Sequence, residues 1–187
     1  MDTSFLQYVA GHPPRCIAQV NPKPVCHVHP TLVLPPSLSI YRSGRYSAVD
    51  TATFAIGCPC GAPTAMLTGF YALTDSFPPN GVFVGPLGIE CLECDRATGF
   101  FDSREHGFDG EQGCNTHLIG EGIPDRFTCP SCRLARMSVY ANFSYHSIEE
   151  LDHAKWQHSK DYFSSFDVVG QCAGCSQVME IASFECS

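Results

Sequence analysis

Four close cysteine pairs, set along residues 57–175, constrain this chain more than any other feature of its sequence. The pairs are Cys58-Pro59-Cys60, Cys91-Leu92-Glu93-Cys94, Cys129-Pro130-Ser131-Cys132 and Cys172-Ala173-Gly174-Cys175. Two cysteines on a tight turn offer both sulfurs to one metal ion. Two such turns complete a tetrahedral four-cysteine site, which zinc favours in closed structural positions. The eight thiols therefore predict two zinc ions.

The length and composition are those of a small globular protein. A chain of 187 residues with 44% hydrophobic and 16% charged residues predicts one domain, or two small ones that share a core. Twelve cysteines would indicate disulfides in a secreted protein, but residues 1–9 contain neither a basic leader nor a long apolar run. No segment reaches the roughly 18 apolar residues of a membrane span. We therefore expect a protein of the reducing cytoplasm, where close cysteine pairs bind metal more often than they oxidise.

An internal repeat divides the cysteine pairs between two halves of the chain. Cys58-Pro59 recurs 71 residues later as Cys129-Pro130, and the pair Cys91 and Cys94 recurs 81 residues later as Cys172 and Cys175. A β-prone run follows each pair, at residues 66–71, 98–101, 137–140 and 178–181. The alternative is a redox Cys-x-x-Cys pair of the thioredoxin kind, but such a pair normally opens a helix within a βαβ unit.

This layout resembles the zinc-ribbon superfamily, with its rubredoxin-like four-cysteine knuckles, twice over across about residues 54–186. The resemblance implies two sets of ligands: Cys58, Cys60, Cys91 and Cys94 for one zinc ion, and Cys129, Cys132, Cys172 and Cys175 for the other. Four pairs can be joined in three ways, and the repeat favours this sequential pairing. Two features depart from the superfamily pattern. The first knuckle has a one-residue spacer, and the gaps of 30 and 39 residues between knuckles exceed the usual 15–20.

The predicted fold is mainly β (small α+β), with two fused zinc ribbons, one short inserted helix and a proline-rich N-terminal arm. Residues 1–53 would form the arm and a hairpin, residues 54–125 the first ribbon with an acidic loop, and residues 126–187 the second ribbon with the helical insertion. Modest apolar runs predict a core too small to hold this fold alone. Zinc binding, worth on the order of 10–16 kcal/mol, would then supply folding energy.

Local patterns place the remaining elements. Seven prolines in residues 12–36 predict an extended arm rather than a helix. Residues 38–41 and 46–49 flank a turn and predict a hairpin, and the alternating residues 51–56 predict a strand. Ser147 and Glu150 fit a capping box for a helix over about residues 148–158.

Two further Cys-x2-His motifs predict a possible third, mixed zinc site that would pin the arm to the body. Its ligands would be Cys26, His29, Cys114 and His117, with His27, His106 and Cys16 as substitutes. The alternative is that these are buried thiols and ordinary hydrogen-bonded histidines. Cys186 has no partner spacing and is most simply a free thiol.

Residues 102–111 carry carboxylates beside a histidine, which general acid–base chemistry or a catalytic metal would require. His106, Asp109 and Glu111 could supply three ligands and leave one position of a zinc ion open to water. The corresponding function is a hydrolase-like, metal-dependent enzyme. Polar, glycine-rich loops are, however, also what an exposed connection looks like. We expect a non-catalytic protein, since the sequence has no nucleophile motif and no phosphate-binding glycine pattern.

The negative charge is concentrated in the middle of the chain. Residues 90–125 hold nine acids against Arg96 and Arg104, a net charge of −7 out of −8 for the whole chain. Nucleic-acid binding needs clustered Lys and Arg, and the only candidate face would lie around Arg133, Arg136 and Tyr140. We therefore expect a zinc-binding adaptor or inhibitor that presents an acidic face to a basic protein. Iron in place of zinc would instead suggest a rubredoxin-like electron carrier. The identity of the partner and the oligomeric state cannot be read from these residues.

Overall fold

The computed structural model describes residues 3–25, 50–72, 82–106, 119–145, 156–157, 163 and 165–185. The prediction of a mainly β fold is confirmed. Helix α1 spans Thr3–Gly11 and a 3₁₀ helix spans Arg15–Val20. The strands are β1 (Lys23–Pro24), β2 (Asp50–Ile56), β3 (Ala65–Ala72), β4 (Val82–Glu90), β5 (Ala97–Phe101), β6 (Asp125–Arg126), β7 (Arg136–Tyr145), β8 (Ser165–Cys172) and β9 (Val178–Glu185). No helix in the described ranges is long and apolar enough to cross a bilayer.

The strands that were predicted to follow the four cysteine pairs are present as β3, β5, β7 and β9, and residues 51–56 lie in β2. The predicted hairpin at 38–41 and 46–49 lies outside the described residues. The same holds for the predicted helix at 148–158, apart from a short 3₁₀ stretch at Trp156 and Gln157.

All nine strands of the described residues belong to one antiparallel sheet. Strands β4 and β5 form one hairpin, with Glu90 opposite Ala97, and β8 and β9 form another, with Gln171 opposite Val178. Strand β7 pairs with β8 along one edge and with β2 and β3 along the other. Each cysteine pair therefore lies in the connection between two consecutive strands of the sheet.

The two halves of the sequence exchange strands within this sheet. Strand β2 pairs with β7 of the second half, and β6 pairs with β3 of the first half. Strands β3 and β7 meet at their first residues, where Ala65 is opposite Met137 and Met66 is opposite Arg136. With the 71-residue offset of the repeat this contact is reciprocal. The expected boundary between residues 125 and 126 falls within β6.

The core is an aromatic cluster on one face of the curled sheet. Phe166 is fully buried, and its ring centroid lies 4.5 Å from that of Phe101 and 4.9 Å from that of Phe143. Phe101 of β5 also lies 4.7 Å from Phe184 of β9, so the two ends of the sheet come together. Each buried aromatic side chain removes a large apolar area from water. The expectation of a core too small to hold the fold is therefore wrong, because aromatic residues distant in sequence converge here.

The other face of the sheet carries a row of polar residues across four strands. Thr53, Asn142, Asp167 and Ser183 are opposite one another on β2, β7, β8 and β9. Thr53 Oγ1 donates to Asn142 Oδ1 at 2.9 Å, and Ser183 Oγ donates to Asp167 Oδ1 at 2.7 Å. Asn142 and Asp167 are 5% and 8% exposed, so these bonds offset the cost of burying them.

The prediction that residues 12–36 lie extended is wrong for residues 15–20, which form the 3₁₀ helix. Pro14 precedes this helix with φ −51°, and its carbonyl accepts from the N–H of Ile17 at 3.2 Å. Cys16, Ile17 and Val20 are buried in the core, so tertiary packing outweighs the tendency of a proline-rich segment to stay extended. Residues 26–36 lie outside the described part of the chain.

Candidate metal centres

The four cysteine turns are named here in chain order. The first knuckle is Cys58–Cys60, the second Cys91–Cys94, the third Cys129–Cys132 and the fourth Cys172–Cys175. In the last three, the N–H of the first cysteine donates to the carbonyl five residues further on, at 2.9 Å in each case (Cys91 to Arg96, Cys129 to Leu134, Cys172 to Gln177). This bond closes the turn, so that both cysteines of a knuckle are presented on the same side.

The residue after the second cysteine has a positive φ in every knuckle: Gly61 at 95°, Asp95 at 55°, Arg133 at 63° and Ser176 at 60°. A left-handed residue reverses the chain immediately after the second sulfur, and L residues adopt this conformation only at a cost. Four repetitions of this costly conformation indicate that the sulfur geometry of the knuckles is what the backbone serves.

The first knuckle reaches the same geometry with one residue fewer. The N–H of Gly61 donates to the carbonyl of Cys58, three residues back, at 2.9 Å. In the fourth knuckle the equivalent bond runs from Ser176 to Cys172, four residues back, at 2.9 Å. The shorter turn places φ at 95°, and glycine is the residue that tolerates it.

The sulfurs form the two quartets that sequential pairing of the knuckles predicts. The first centre comprises Cys58, Cys60, Cys91 and Cys94, and the second centre Cys129, Cys132, Cys172 and Cys175. Within each centre all four sulfurs lie within 4.8 Å of one another. The shortest separations are 3.5 Å for Cys58–Cys94 and Cys60–Cys91, 3.6 Å for Cys129–Cys175 and 3.4 Å for Cys132–Cys172.

These distances fit a metal ion and not disulfides. A disulfide would bring two sulfurs to about 2.05 Å, and the described cysteines are not bonded to one another. Four sulfurs arranged tetrahedrally at about 2.3 Å from a zinc ion lie about 3.8 Å apart. Each quartet can therefore hold one metal ion with only small adjustments of its side chains.

Two sulfurs are stabilised as thiolates by backbone N–H groups. The N–H of Glu93 donates to Cys91 Sγ and the N–H of Gly174 donates to Cys172 Sγ, both at 3.4 Å. Such backbone bonds, first of all that from Glu93, lower the pKa of Cys91 to about 7. Those from Cys175 and Gly174 lower the pKa of Cys172 to about 6. Metal binding requires the thiolate, so each centre carries one preformed anionic ligand.

The neighbouring sulfurs resist a further negative charge. The N–H of Cys60 alone would lower the pKa of Cys58, but burial and the three nearby sulfurs raise it to about 12. In the second centre the N–H of Leu134 has the same lowering effect on Cys132, but the neighbouring sulfurs and burial raise its pKa to about 12. A divalent cation removes this repulsion and allows all four thiolates to form.

In every knuckle the first cysteine is buried and the second is exposed. The buried members are Cys58, Cys91, Cys129 and Cys172, each at most 2% exposed. Both centres are therefore half embedded in the protein, with two sulfurs accessible to solvent. This position suits an ion that holds strands together rather than one that meets a substrate in a cleft.

The proposed third site cannot be assembled from the described residues, because Cys26, His29, Cys114 and His117 all lie outside them, as do His27 and Cys186. Of the possible substitutes, Cys16 is 2% exposed in the core next to β5 and β2. Among the described residues, the two quartets are the only clusters that could hold a metal ion.

His106 closes a turn in the structure. Its Nδ1 lies 2.9 Å from both the backbone N and the backbone O of Asp102, and its ring stacks on Phe101 at 5.9 Å. Burial raises the pKa of Asp102, but hydrogen bonds and the charge of Arg104 lower it more, leaving it below its usual value. These contacts are those of a structural turn. Asp109 and Glu111, the other residues of the hypothetical catalytic site, lie outside the described ranges.

Arginines partly neutralise the acidic segment 90–125. The ion pairs are Glu90–Arg126 at 2.7 Å, Glu93–Arg136 at 3.5 Å and Asp102–Arg104 at 3.2 Å. Glu90 and Arg126 line a shallow cavity of about 250 Å³ beside Cys91, smaller than the roughly 300–1,000 Å³ of most ligand pockets. Arg136, expected as part of a nucleic-acid face with Arg133 and Tyr140, directs its side chain to an acidic residue of the protein itself.

Other carboxylates of this segment are exposed. Asp95, Glu105, Glu121 and Asp125 lie on the surface, and Ile123, between the last two, is 92% exposed. This surface combines negative charge with an apolar side chain that projects into solvent.

Sequence reasoning missed the contributions of Gly61, of the N–H donors Glu93 and Gly174, and of Arg136. The glycine directly after the shortened knuckle was a readable signal for the first. The contacts of Arg136 depend on strand exchange and have no local signature. Comparisons with protein-family models, with curated proteins and with solved structures give no match for this chain.

Proposed function

We propose that this protein binds two zinc ions in closed four-thiolate sites and acts as a non-catalytic module that presents an acidic face to a basic protein partner. The observation that carries the proposal is the arrangement of the eight knuckle cysteines in two complete quartets. A tetrahedral zinc ion with four protein ligands has no open position for water or substrate. Zinc bound in this way stabilises the fold and does not take part in a reaction.

The donor set favours zinc among the common divalent ions. Thiolates are soft ligands that select zinc, or iron in rubredoxin-like sites, over magnesium or calcium. The described residues offer no second redox group next to either centre, and both centres lie at the ends of strands. We assign the ions a structural role on these grounds, with iron as the alternative that elemental analysis distinguishes.

We further infer that the fold derives from two fused zinc ribbons. Each quartet combines two knuckles of one half of the sequence, and a strand follows every knuckle. The reciprocal contact of Ala65 with Met137 and of Met66 with Arg136 supports a duplicated unit. The exchange of β2 and β6 between halves explains why the ribbons share one sheet and one core.

Charge supports a basic partner. The sequence carries −8 at neutral pH, and each zinc with four thiolates adds two negative charges, so the metal-loaded chain carries about −12. Exposed Glu121 and Asp125 flank the exposed Ile123, a combination suited to a protein surface with an apolar pocket and a basic rim. One concrete version is an inhibitor whose carboxylates occupy the phosphate-binding surface of a basic nuclease or toxin.

A pair of charge-matched variants tests the proposed face. Glu121→Gln with Asp125→Asn and Gln7→Lys with Gln19→Lys change the net charge equally, but the second pair lies on exposed positions of α1 and the 3₁₀ helix. The metal-loaded protein is immobilised and used to capture partners from native lysate at low and high salt. We expect a basic protein that is lost at high salt and with the first variant, yet retained by the second. Retention that is insensitive to salt, or equal loss with both variants, would contradict the proposal.

A further inference from the structure

Arg136 is in contact with knuckles of both metal centres. Its backbone carbonyl accepts from the N–H of Ala173, inside the fourth knuckle, at 3.0 Å. Its Nε donates to Oγ1 of Thr64, between the first knuckle and β3, at 2.7 Å. A guanidinium nitrogen lies 3.5 Å from Oε1 of Glu93, inside the second knuckle. One residue thus joins the second centre through its backbone and the first centre through its side chain.

The strand pairing makes this connection rigid. Arg136 is the first residue of β7, four positions after the last cysteine of the third knuckle, and it lies opposite Met66 of β3. Strand β3 in turn begins shortly after the first knuckle. A displacement of the first knuckle is therefore transmitted to β7, and through the carbonyl of Arg136 to the fourth knuckle.

Charge reinforces the link. A zinc ion with four thiolates carries two negative charges, and two such centres near the same strand ends repel each other. The guanidinium of Arg136 lies between knuckles of the two centres. The ion pair with Glu93 is itself exposed, so it contributes less than the hydrogen bond to Thr64.

We propose that the two centres bind their metal ions with positive cooperativity and that the side chain of Arg136 couples them. The inference rests on the metal-binding part of the proposed function. Filling one centre fixes its knuckles, which positions Arg136 and so orders the knuckles of the other centre. Coupling between sites in proteins is commonly 5- to 150-fold, and we expect about tenfold here.

The test counts metal ions on the full chain during removal of zinc by graded amounts of a chelator under reducing conditions. Native mass spectrometry separates chains with no, one and two ions. Two independent sites place at least about half of the chains in the one-ion form at half saturation, whereas tenfold coupling between equal sites lowers this to about one quarter. The variants are Arg136→Ala, which removes the side-chain contacts, and Thr64→Val, which removes one acceptor without changing charge.

Arg126→Ala is the matched control, because Arg126 is also an exposed arginine paired with a carboxylate next to the first centre, Glu90 at 2.7 Å. We expect the one-ion form to increase in Arg136→Ala and in Thr64→Val, and to stay at the wild-type level in Arg126→Ala. Equal one-ion populations in the wild type and Arg136→Ala would overturn the coupling while leaving two zinc sites in place. A chain that retains no ion at all would instead overturn the proposed function.

Discussion

Replacement of Gly61 by alanine should weaken the first metal centre through the backbone alone. Gly61 has φ 95°, and a Cβ at this position would meet no atom within 4 Å. The cost is therefore conformational, about 1–2 kcal/mol for an L residue in a left-handed conformation. Since each 1.4 kcal/mol is a factor of about ten in affinity, we expect metal binding at the first centre to weaken by about 5- to 30-fold.

Gly122 provides a matched control, because it has the same φ of 95° and the same open space around its Cβ position but lies in the loop before β6. Gly122→Ala should lower overall stability to a similar extent without selective loss of the first centre. The assay is alkylation of exposed thiols during chelator challenge, mapped by peptide mass spectrometry. In Gly61→Ala, label should appear on Cys60 and Cys94 before Cys132 and Cys175. Simultaneous labelling of both centres, or the same labelling order in both variants, would refute the argument.

Three further predictions concern the core, the metal-free state and pH. Phe166→Ala removes a fully buried ring from the aromatic cluster, and we expect the free energy of unfolding to fall by about 3–5 kcal/mol in urea titrations of the metal-loaded protein; a loss below about 1 kcal/mol would contradict the described packing. Removal of zinc should abolish hydrogen-exchange protection of the knuckle amides while the β7–β8 amides stay protected, because the aromatic core persists; loss of protection throughout would show that zinc holds the whole fold. Zinc release should rise as the pH falls below about 6, the pKa of Cys172, since protons compete for thiolates that form only above their pKa; zinc retention unchanged down to about pH 3 would contradict thiolate ligation.

The cysteine spacing and the 71-residue repeat were sufficient to predict the strands that follow each knuckle and the two quartets that the fold brings together. Both are local consequences: a tight turn presents two sulfurs on one side, and the chain must leave it in an extended conformation. The left-handed residue after each knuckle could also have been anticipated at Gly61, but Asp95, Arg133 and Ser176 carry no such signal.

Strand β4 was missed because its apolar residues are interrupted by Gly85, Pro86 and Gly88. The structure gives a reason for Gly88, since a Cβ there would lie 2.9 Å from Thr68 Oγ1 and 3.1 Å from the carbonyl of Thr98. Close packing between β3 and β5 thus requires a residue that weakens the strand pattern. Helix α1 was also not anticipated.

The exchange of β2 and β6 and the aromatic core could not be predicted from local patterns. Phe101, Phe143, Phe166 and Phe184 come from four different strands and become neighbours only when the sheet curls. Which strand pairs with which is decided by these distant contacts. A core of this size also changes the role of the metal, from holding the whole fold to fixing the knuckles at its edge.

The central claim is that eight cysteines hold two zinc ions, and elemental analysis combined with thiol counting tests it most directly. Protein purified without added metal should contain two zinc ions per chain. Its eight knuckle thiols should resist alkylation until the zinc is removed and then react completely. A chain with no bound metal, or knuckle cysteines joined as disulfides under reducing purification, would contradict the account.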